Sequence, residues 1–444
     1  MRIRTFLTPL LLLGALTACE EDLLDLEPVD ELTEEIAISD ARGARAGMTG
    51  AYQALQSTDY YGGTFVFFND LSADNAVHTG TYHSYADASR NELRPENSSV
   101  ADIWNAIYEA INRTNQLIIR VPDIDDLSAQ ERAEILAQAH FLRALHYHNL
   151  VRLWGDVPLR EAPIASAEEA SQVERAPVED VYALILSDLE TAKAGLPSGG
   201  DTRRATLGAA HALSARVHLY LEEWGQAQAA AEAAEGMGYS LAEDYASLFP
   251  PEGGQTPEDI FRVLFTAVQW NQLGYYYISS GFGGRGEVGP QQSIIDAFQP
   301  GDARGQWSIY GDVEGTAHGT KYPTTAGAED PHVIRFAEVI LTKAEALAQQ
   351  GRLEDAVTEY NRVRVRAELP PHVFEEDVST RQEVLEAIWH ERRLELAFEG
   401  DRFSDLRRTG RSVDVLGIQA YQAMYPIPQA ELDVAPNMTQ NPEY

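Results

Sequence analysis

The chain has a single cysteine, Cys19, so no intramolecular disulfide can hold it together. Positive charge is also scarce: 34 Lys and Arg against 69 Asp and Glu leave a formal charge of -35 over 444 residues. Such a surface repels nucleic acid and disfavours polyanionic ligands unless a local basic patch or a bound cation intervenes. A neutral ligand is therefore the expectation. The first apolar run is too short to span a bilayer as a permanent helix, and no other segment could span one. A Gly-x-Ser-x-Gly nucleophile motif and a phosphate-binding loop are both missing. His140, His146 and His148 share one predicted helix, but no two are four apart, so they do not converge as zinc ligands do. No cofactor or metal is expected.

What is present begins with a leader. Arg2 and Arg4 precede the apolar run 6–13, and small residues follow to Ala18, which reads as a secretory signal over 1–18. Leu16-Thr17-Ala18-Cys19 resembles a bacterial lipoprotein box, in which Cys19 becomes the lipidated first residue of the mature chain. Each acyl methylene buried in a bilayer contributes about 0.8 kcal/mol, so several chains would anchor the protein firmly. Glu20, Glu21 and Asp22 resemble the acidic surface-export signal of Bacteroidota lipoproteins. Residues 19–38 read as a lipidated tether, and 39–444 as the folded part, with 44% hydrophobic residues to build its core.

Helical spacing dominates that part. Ile340, Leu341, Ala344, Leu347 and Ala348 mark one short helix, Gly351 stops it, and Leu353, Ala356, Val357, Tyr360, Val363 and Ala367 mark the next. Ala344 and Ala356 let the two backbones approach. The same hairpin recurs 129 residues earlier, with Ala215, Trp224 and Ala227 in the places of Ala344, Leu353 and Ala356. The pattern resembles the tetratricopeptide repeat, a unit that buries its apolar face only by stacking on neighbours. A generic helical hairpin accounts for the same residues.

Further helices are expected after Asp40, from Val100 to Pro122, from Ser128 to Gly155, over 178–195, 206–222 and 224–235, and over 381–406. Two stretches break the pattern. Residues 60–98 and 236–332 are rich in aromatics, Gly, Asn and Asp, without sustained periodicity, and read as irregular lobes. Within the second, 260–268 and 275–278 are candidate strands. The tail 425–444 carries Pro426, Pro428, Pro436 and Pro442 and is expected to be extended. The fold class is mainly α: a tetratricopeptide-like helical-repeat scaffold with loop-rich lobes and a few short strands.

Several ordered segments together resemble the SusD/RagB family of outer-membrane nutrient-binding lipoproteins. They are Phe141-Leu142-Arg143-Ala144 with Tyr147, Trp154-Gly155-Asp156-Val157-Pro158-Leu159, Arg175-Ala176-Pro177, Leu196-Pro197 and Arg204-Ala205-Thr206. Late in the chain come Glu391-Arg392-Arg393 with Glu395, Glu399-Gly400-Asp401-Arg402, Tyr425-Pro426-Ile427-Pro428 and Gln440-Asn441-Pro442. The resemblance implies a lipid-anchored outer-membrane protein facing the cell exterior. It implies a SusC-like TonB-dependent transporter as partner, for which the protein acts as a hinged lid, with ligands held on loops above the helical scaffold.

On the late helix, Arg392 and Glu395, Glu399 and Arg402, and Arg402 and Asp405 are each three apart and are expected to pair along it. A catalytic use of Glu391, Glu395 or Glu399 in glycoside hydrolysis competes with this, but nearby arginines would hold each acid ionised. Arg402, Arg407, Arg408 and Arg411 read as a solvated helix end. Gly281-Phe282-Gly283-Gly284-Arg285-Gly286 matches a dinucleotide turn in its glycines, without the strand before and helix after that such a turn needs.

A sugar ring presents an apolar C–H face and a hydroxyl edge, so a flat aromatic suits the face and polar side chains suit the edge. Candidate ligand residues in the lobes are Tyr82, Tyr85, Trp270, Tyr275, Tyr276, Trp307 and Tyr310, with Asp74, Asn75, Asn271 and Arg285 as polar partners. The expected function is binding of a nutrient oligosaccharide and its delivery to the transporter, without bond chemistry. Peptide cargo, and less so a lipoprotein glycoside hydrolase, are the alternatives.

Overall fold

The structure is a computed structural model that describes residues 37–163, 166–308, 310–313, 316–318 and 321–444. The expected signal peptide, Cys19 and nearly all of the tether lie outside the described residues. Among the described residues no helix is long and apolar enough to cross a membrane.

Each long helix packs on the next, forming an array. Ala41–Ala54 leans on Ser98–Arg120, which packs on Ala129–Trp154, and that in turn on Val178–Gly195. Leu207–Tyr220 and Trp224–Glu235 form the first expected hairpin, and Phe336–Gln349 and Leu353–Arg366 the second. Trp224–Glu235 packs directly on Phe336–Gln349, so residues 236–335 leave the array and return to the same place. Ala215, Ala227, Ala344 and Ala356 are all buried, as close helix crossings require. The helix ends follow their sequence signals: Asp40 Oδ1 accepts from Gly43 N, Ser128 Oγ accepts from Glu131 N, and Gly155 ends its helix at φ 76°.

The stretch 60–98 departs from the expected irregularity, because it contains the helices Thr64–Leu71 and His83–Ser89. Every residue of Thr64–Leu71 is buried, and a helix buried on all sides has no polar face to give it a period. In the second lobe a strand forms at Asp259–Arg262, paired antiparallel with His332–Arg335. Residues 275–278, expected as a strand, instead belong largely to the helix Leu273–Tyr277: Asn271 Oδ1 accepts from Leu273 N and opens a helical turn, and among the described residues no strand pairs with it.

The late helix is also shorter than its apolar spacing suggests. Arg381–Glu395 and Arg402–Arg408 are separated by a bend with Phe398 at φ 64° and Gly400 at φ 76°. The bend redirects the charges expected to pair along one helix, so each meets partners from elsewhere. Arg392 pairs with Asp401, Asp405 and Glu338, and Arg402 pairs with Asp74 at 2.7 Å. Glu395 receives Arg335 and Arg366, and Glu399 receives Arg335 at 2.8 Å and Lys321 at 2.6 Å. Arg304 adds ion pairs to Asp302 and Glu391, both at 2.7 Å. These buried charges seat the second lobe, through Glu258, Asp302, Arg304 and Lys321, on the helical array. The arginine cluster is likewise not a solvated helix end: Arg402 is buried, and Arg408 is enclosed by Glu345 and Asp405.

Candidate functional site

The two lobes meet through a short antiparallel pairing of Ala76–His78 with Val288–Pro290, in the register Val77 to Gly289 and His78 to Val288. Just beyond it, Thr81 and Tyr82 from the first lobe face Arg285 and Glu287 from the second. Tyr82 is 37% exposed, and its ring lies at 10° to that of Tyr276 with centroids 6.0 Å apart. The Arg285 guanidinium sits over the Tyr82 ring, 4.3 Å from its centroid. Tyr275 meets Tyr276 at 5.7 Å and Trp270 edge-on at 6.2 Å, and Trp270 is 41% exposed. Phe67 and the buried Tyr85 pack beneath Tyr276. The outcome is an aromatic platform that opens to solvent at Tyr82 and Trp270, with Arg285 stacked over Tyr82.

Local sequence explains the placement. Asn271 opens the helix Leu273–Tyr277, so the successive tyrosines 275, 276 and 277 diverge around its axis. Tyr277 turns into the core against Phe67 and Tyr322, while Tyr275 and Tyr276 reach the platform. Arg285 N donates to Tyr275 O at 2.6 Å, which pins the glycine-rich loop against that helix. In this loop Gly283, at φ 84°, closes a short turn after Phe282, and the next element is a strand. That order is the reverse of a dinucleotide turn.

The structure therefore brings Tyr82, Tyr85, Trp270, Tyr275, Tyr276 and Arg285 together. Three polar candidates sit elsewhere, with their hydrogen bonds already committed. Asn271 is fully buried and donates to Gly327 O and Glu329 O. Asn75 is buried, donating to Asp70 and accepting from Arg393 Nε at 3.0 Å. Asp74 is held between Arg402 and Arg393. Burial alone would raise its carboxyl, yet the hydrogen bond and charge of Arg402 hold it below the usual range. Trp307 lies on the helix Ala303–Ser308, and Tyr310 opens a strand paired with Thr316–His318.

Sequence reasoning missed Glu287, Thr81 and His78. The Glu287 carboxylate accepts from Arg285 Nε at 2.7 Å, Thr81 N at 2.8 Å, Thr81 Oγ1 at 3.2 Å and Tyr82 N at 3.1 Å, with His78 Nε2 at 3.2 Å. Burial pushes this carboxyl up, but the bonds from Arg285 and the two backbone N–H groups outweigh it and keep it lowered. The spacing of Arg285 and Glu287, two apart at the mouth of a strand, was the one sequence signal for the pair.

The carboxylates weighed for hydrolysis are inside the protein. Glu391 and Glu395 are buried, and against the raising effect of burial Arg304, Arg364, Arg335 and Arg366 hold them ionised. Among the described residues no group of three His, Cys, Asp or Glu is placed to hold a metal ion. A cavity of about 540 Å³, lined by Met48, Gln138 and Arg204 among others, lies on the helical array.

Comparison with known proteins agrees with this architecture. Residues 22–219 match a family model described as starch-binding associating with outer membrane, and residues 283–422 match the SusD family model. SusD-like protein P38 of Formosa agariphila is 29% identical, covering 93% of this chain and 92% of its own length. A solved laminarin binding SusD-like protein superposes with a TM-score of 0.81 at 27% identity, covering 91% of this chain and all of that one. A SusD superfamily protein of Bacteroides vulgatus shares the fold with a TM-score of 0.84 over 91% of this chain and 99% of its own. The helical array, the lobes inserted in it and these matches along both halves agree: the chain belongs to the SusD family.

Proposed function

We propose that this protein binds an oligosaccharide on the platform of Tyr82, Tyr276, Tyr275, Trp270 and Arg285 and passes it to a SusC-like TonB-dependent transporter in the outer membrane. The observation that carries the reading is the stack of the exposed Arg285 and the partly exposed Tyr82 with the buried Tyr276, built from two distant segments. A partly exposed aromatic surface with a guanidinium stacked on it fits a sugar ring, whose C–H face packs on the exposed rings while hydroxyls take the N–H groups. Glycan binding by the similar laminarin binding protein supports the same class of ligand.

In this reading the protein does no bond chemistry, which the burial of its late-helix carboxylates among arginines favours. Lipidation at Cys19 would hold it to the outer membrane, facing outward, beside its transporter. The tether keeps bound ligand at high effective concentration there, so affinity need only be modest. The domain reading is retained in the proposal: signal 1–18, tether 19–38, and a ligand-bearing body beyond. Native gels each containing one polysaccharide, run with the soluble chain beginning after Cys19, test it. Retardation by a neutral glycan that is lost on Tyr82→Ala supports the proposal. Uniform mobility, with binding of peptides instead, would transfer the cargo to peptide.

A further inference from the structure

We infer that Glu287 is the positioning residue of this platform, holding Tyr82 and Arg285 in register so that the stack is complete before a ligand arrives. The inference rests on the reading of the platform as the ligand site. Glu287 contributes no exposed surface to it, since its side chain is only 2% accessible. What it contributes is a junction. Its carboxylate takes the backbone N–H groups of Thr81 and Tyr82 from one lobe and the Arg285 Nε from the other. Arg285 Nη2 reaches back to Thr81 Oγ1 at 3.4 Å, closing a ring of contacts around the acid.

The pairing of the two strands does not need this carboxylate, because Thr79 N already bonds Glu287 O and His78 lies opposite Val288. The turn that aims the Tyr82 ring does need it. Gly80 passes so close that a Cβ there would lie 2.1 Å from Glu287 Oε2, so the chain is wrapped onto the acid. The ion pair of Arg285 with Glu287 carries no net charge as a whole, so the guanidinium offers its stacking plane and donors with its charge balanced at once by the acid. That character selects hydroxyl-rich neutral ligands over charged ones.

The test uses the full soluble chain with Glu287→Gln, Tyr82→Ala and the double variant, read by near-UV circular dichroism, thermal midpoint and affinity for the glycan retained by the wild type. Glu287→Gln is expected to remove the tyrosine band that Tyr82→Ala removes, and to weaken binding by about tenfold, the scale of one interface anchor. In the Tyr82→Ala background the same substitution should change neither readout further. An unaltered spectrum with unaltered affinity, or an equal loss in both backgrounds, would overturn the inference, the latter showing general support of the fold. Should Glu287→Gln fold poorly, Glu287→Asp keeps the charge, shortens the reach and is read in the same way. The spectrum needs no ligand, so a wild type that binds no glycan defeats the proposed function while the role of Glu287 is still decided.

Discussion

Tyr82 and Tyr276 are 194 residues apart in sequence, yet their rings lie within 10° of parallel and their hydroxyls are 3.4 Å apart. The pair exists only where the first lobe meets the second, so the proposed binding surface is a property of the junction.

Truncating either ring should separate binding from folding to different extents. Tyr82→Ala is expected to reduce glycan affinity by roughly tenfold or more, at little stability cost, because the ring is partly exposed. Tyr276→Ala removes a buried ring that touches Phe67 and Tyr85, so it should lower both affinity and the thermal midpoint. Titration calorimetry with melting curves on the same samples checks both.

Asp74→Ala should behave in the opposite way. It strips Arg402 and Arg393 of their carboxylate, and leaving buried cations underpaired costs on the order of 2–4 kcal/mol. Glycan affinity should be unchanged at temperatures where the variant remains folded. Denaturant melts and binding isotherms together give the result, and lost affinity in the folded variant would return Asp74 to the ligand site.

Asp70 gives a pH signature. Its side chain is fully buried, and burial raises its carboxyl from 3.8 to about 7 against the hydrogen bonds of Asn75 and Gly400 N. The folded state therefore holds this proton more tightly than the unfolded chain. Its contribution favours folding below pH 3.8, and stability is lost as pH rises from there to about 7. The slope is about 1.4 kcal/mol per pH unit within that window. Asp70→Asn mimics the protonated acid, so the variant should melt above the wild type at pH 8, with the gap narrowing towards pH 4. Melting curves across pH test this.

Glu399 titrates with the other sign. Arg335 and Lys321 overcome the effect of burial and lower its carboxyl to about 2, so its stabilisation is present above pH 4.5 and lost as pH falls towards 2. Glu399→Gln should cost about 3–5 kcal/mol, since Lys321 loses its carboxylate partner inside the protein. Hydrogen exchange should rise first in 245–335, the segment that this acid helps to seat. Uniform exchange over the whole chain would show that the lobe and the array unfold as one.

The array was readable from sequence because it repeats one simple device. Ala344, Ala356, Ala215 and Ala227 fall at helical spacing and are all buried. Caps such as Asp40 and Ser128 act locally, within three residues, and so were visible. The lobes were harder to read because their order comes from distant partners. Thr64–Leu71 has no period since all its faces are buried, and 275–278 looked strand-like by composition while Asn271 set a helix. Of the residues singled out from sequence, the aromatics Tyr82, Tyr85, Trp270, Tyr275 and Tyr276 and the polar Arg285 come together, while three polar candidates do not. Asp74, Asn75 and Asn271 lie in suitable stretches of sequence, but their hydrogen bonds run inward to Arg402, Asp70 and Gly327. Glu287 carried only its spacing from Arg285, and no spacing could reveal a bond to Tyr82 across more than two hundred residues.

The contact of Trp224–Glu235 with Phe336–Gln349 means that the polypeptide between them begins and ends at one point of the array. Such an excursion can lengthen, shorten or change composition while the flanking helices keep their packing, since closing a longer loop costs only about 0.6 kcal/mol per doubling. A graft of 236–335 between relatives would thus exchange half of the candidate platform and leave the array in place, with residue 82 and its turn as the matching half that must travel with it.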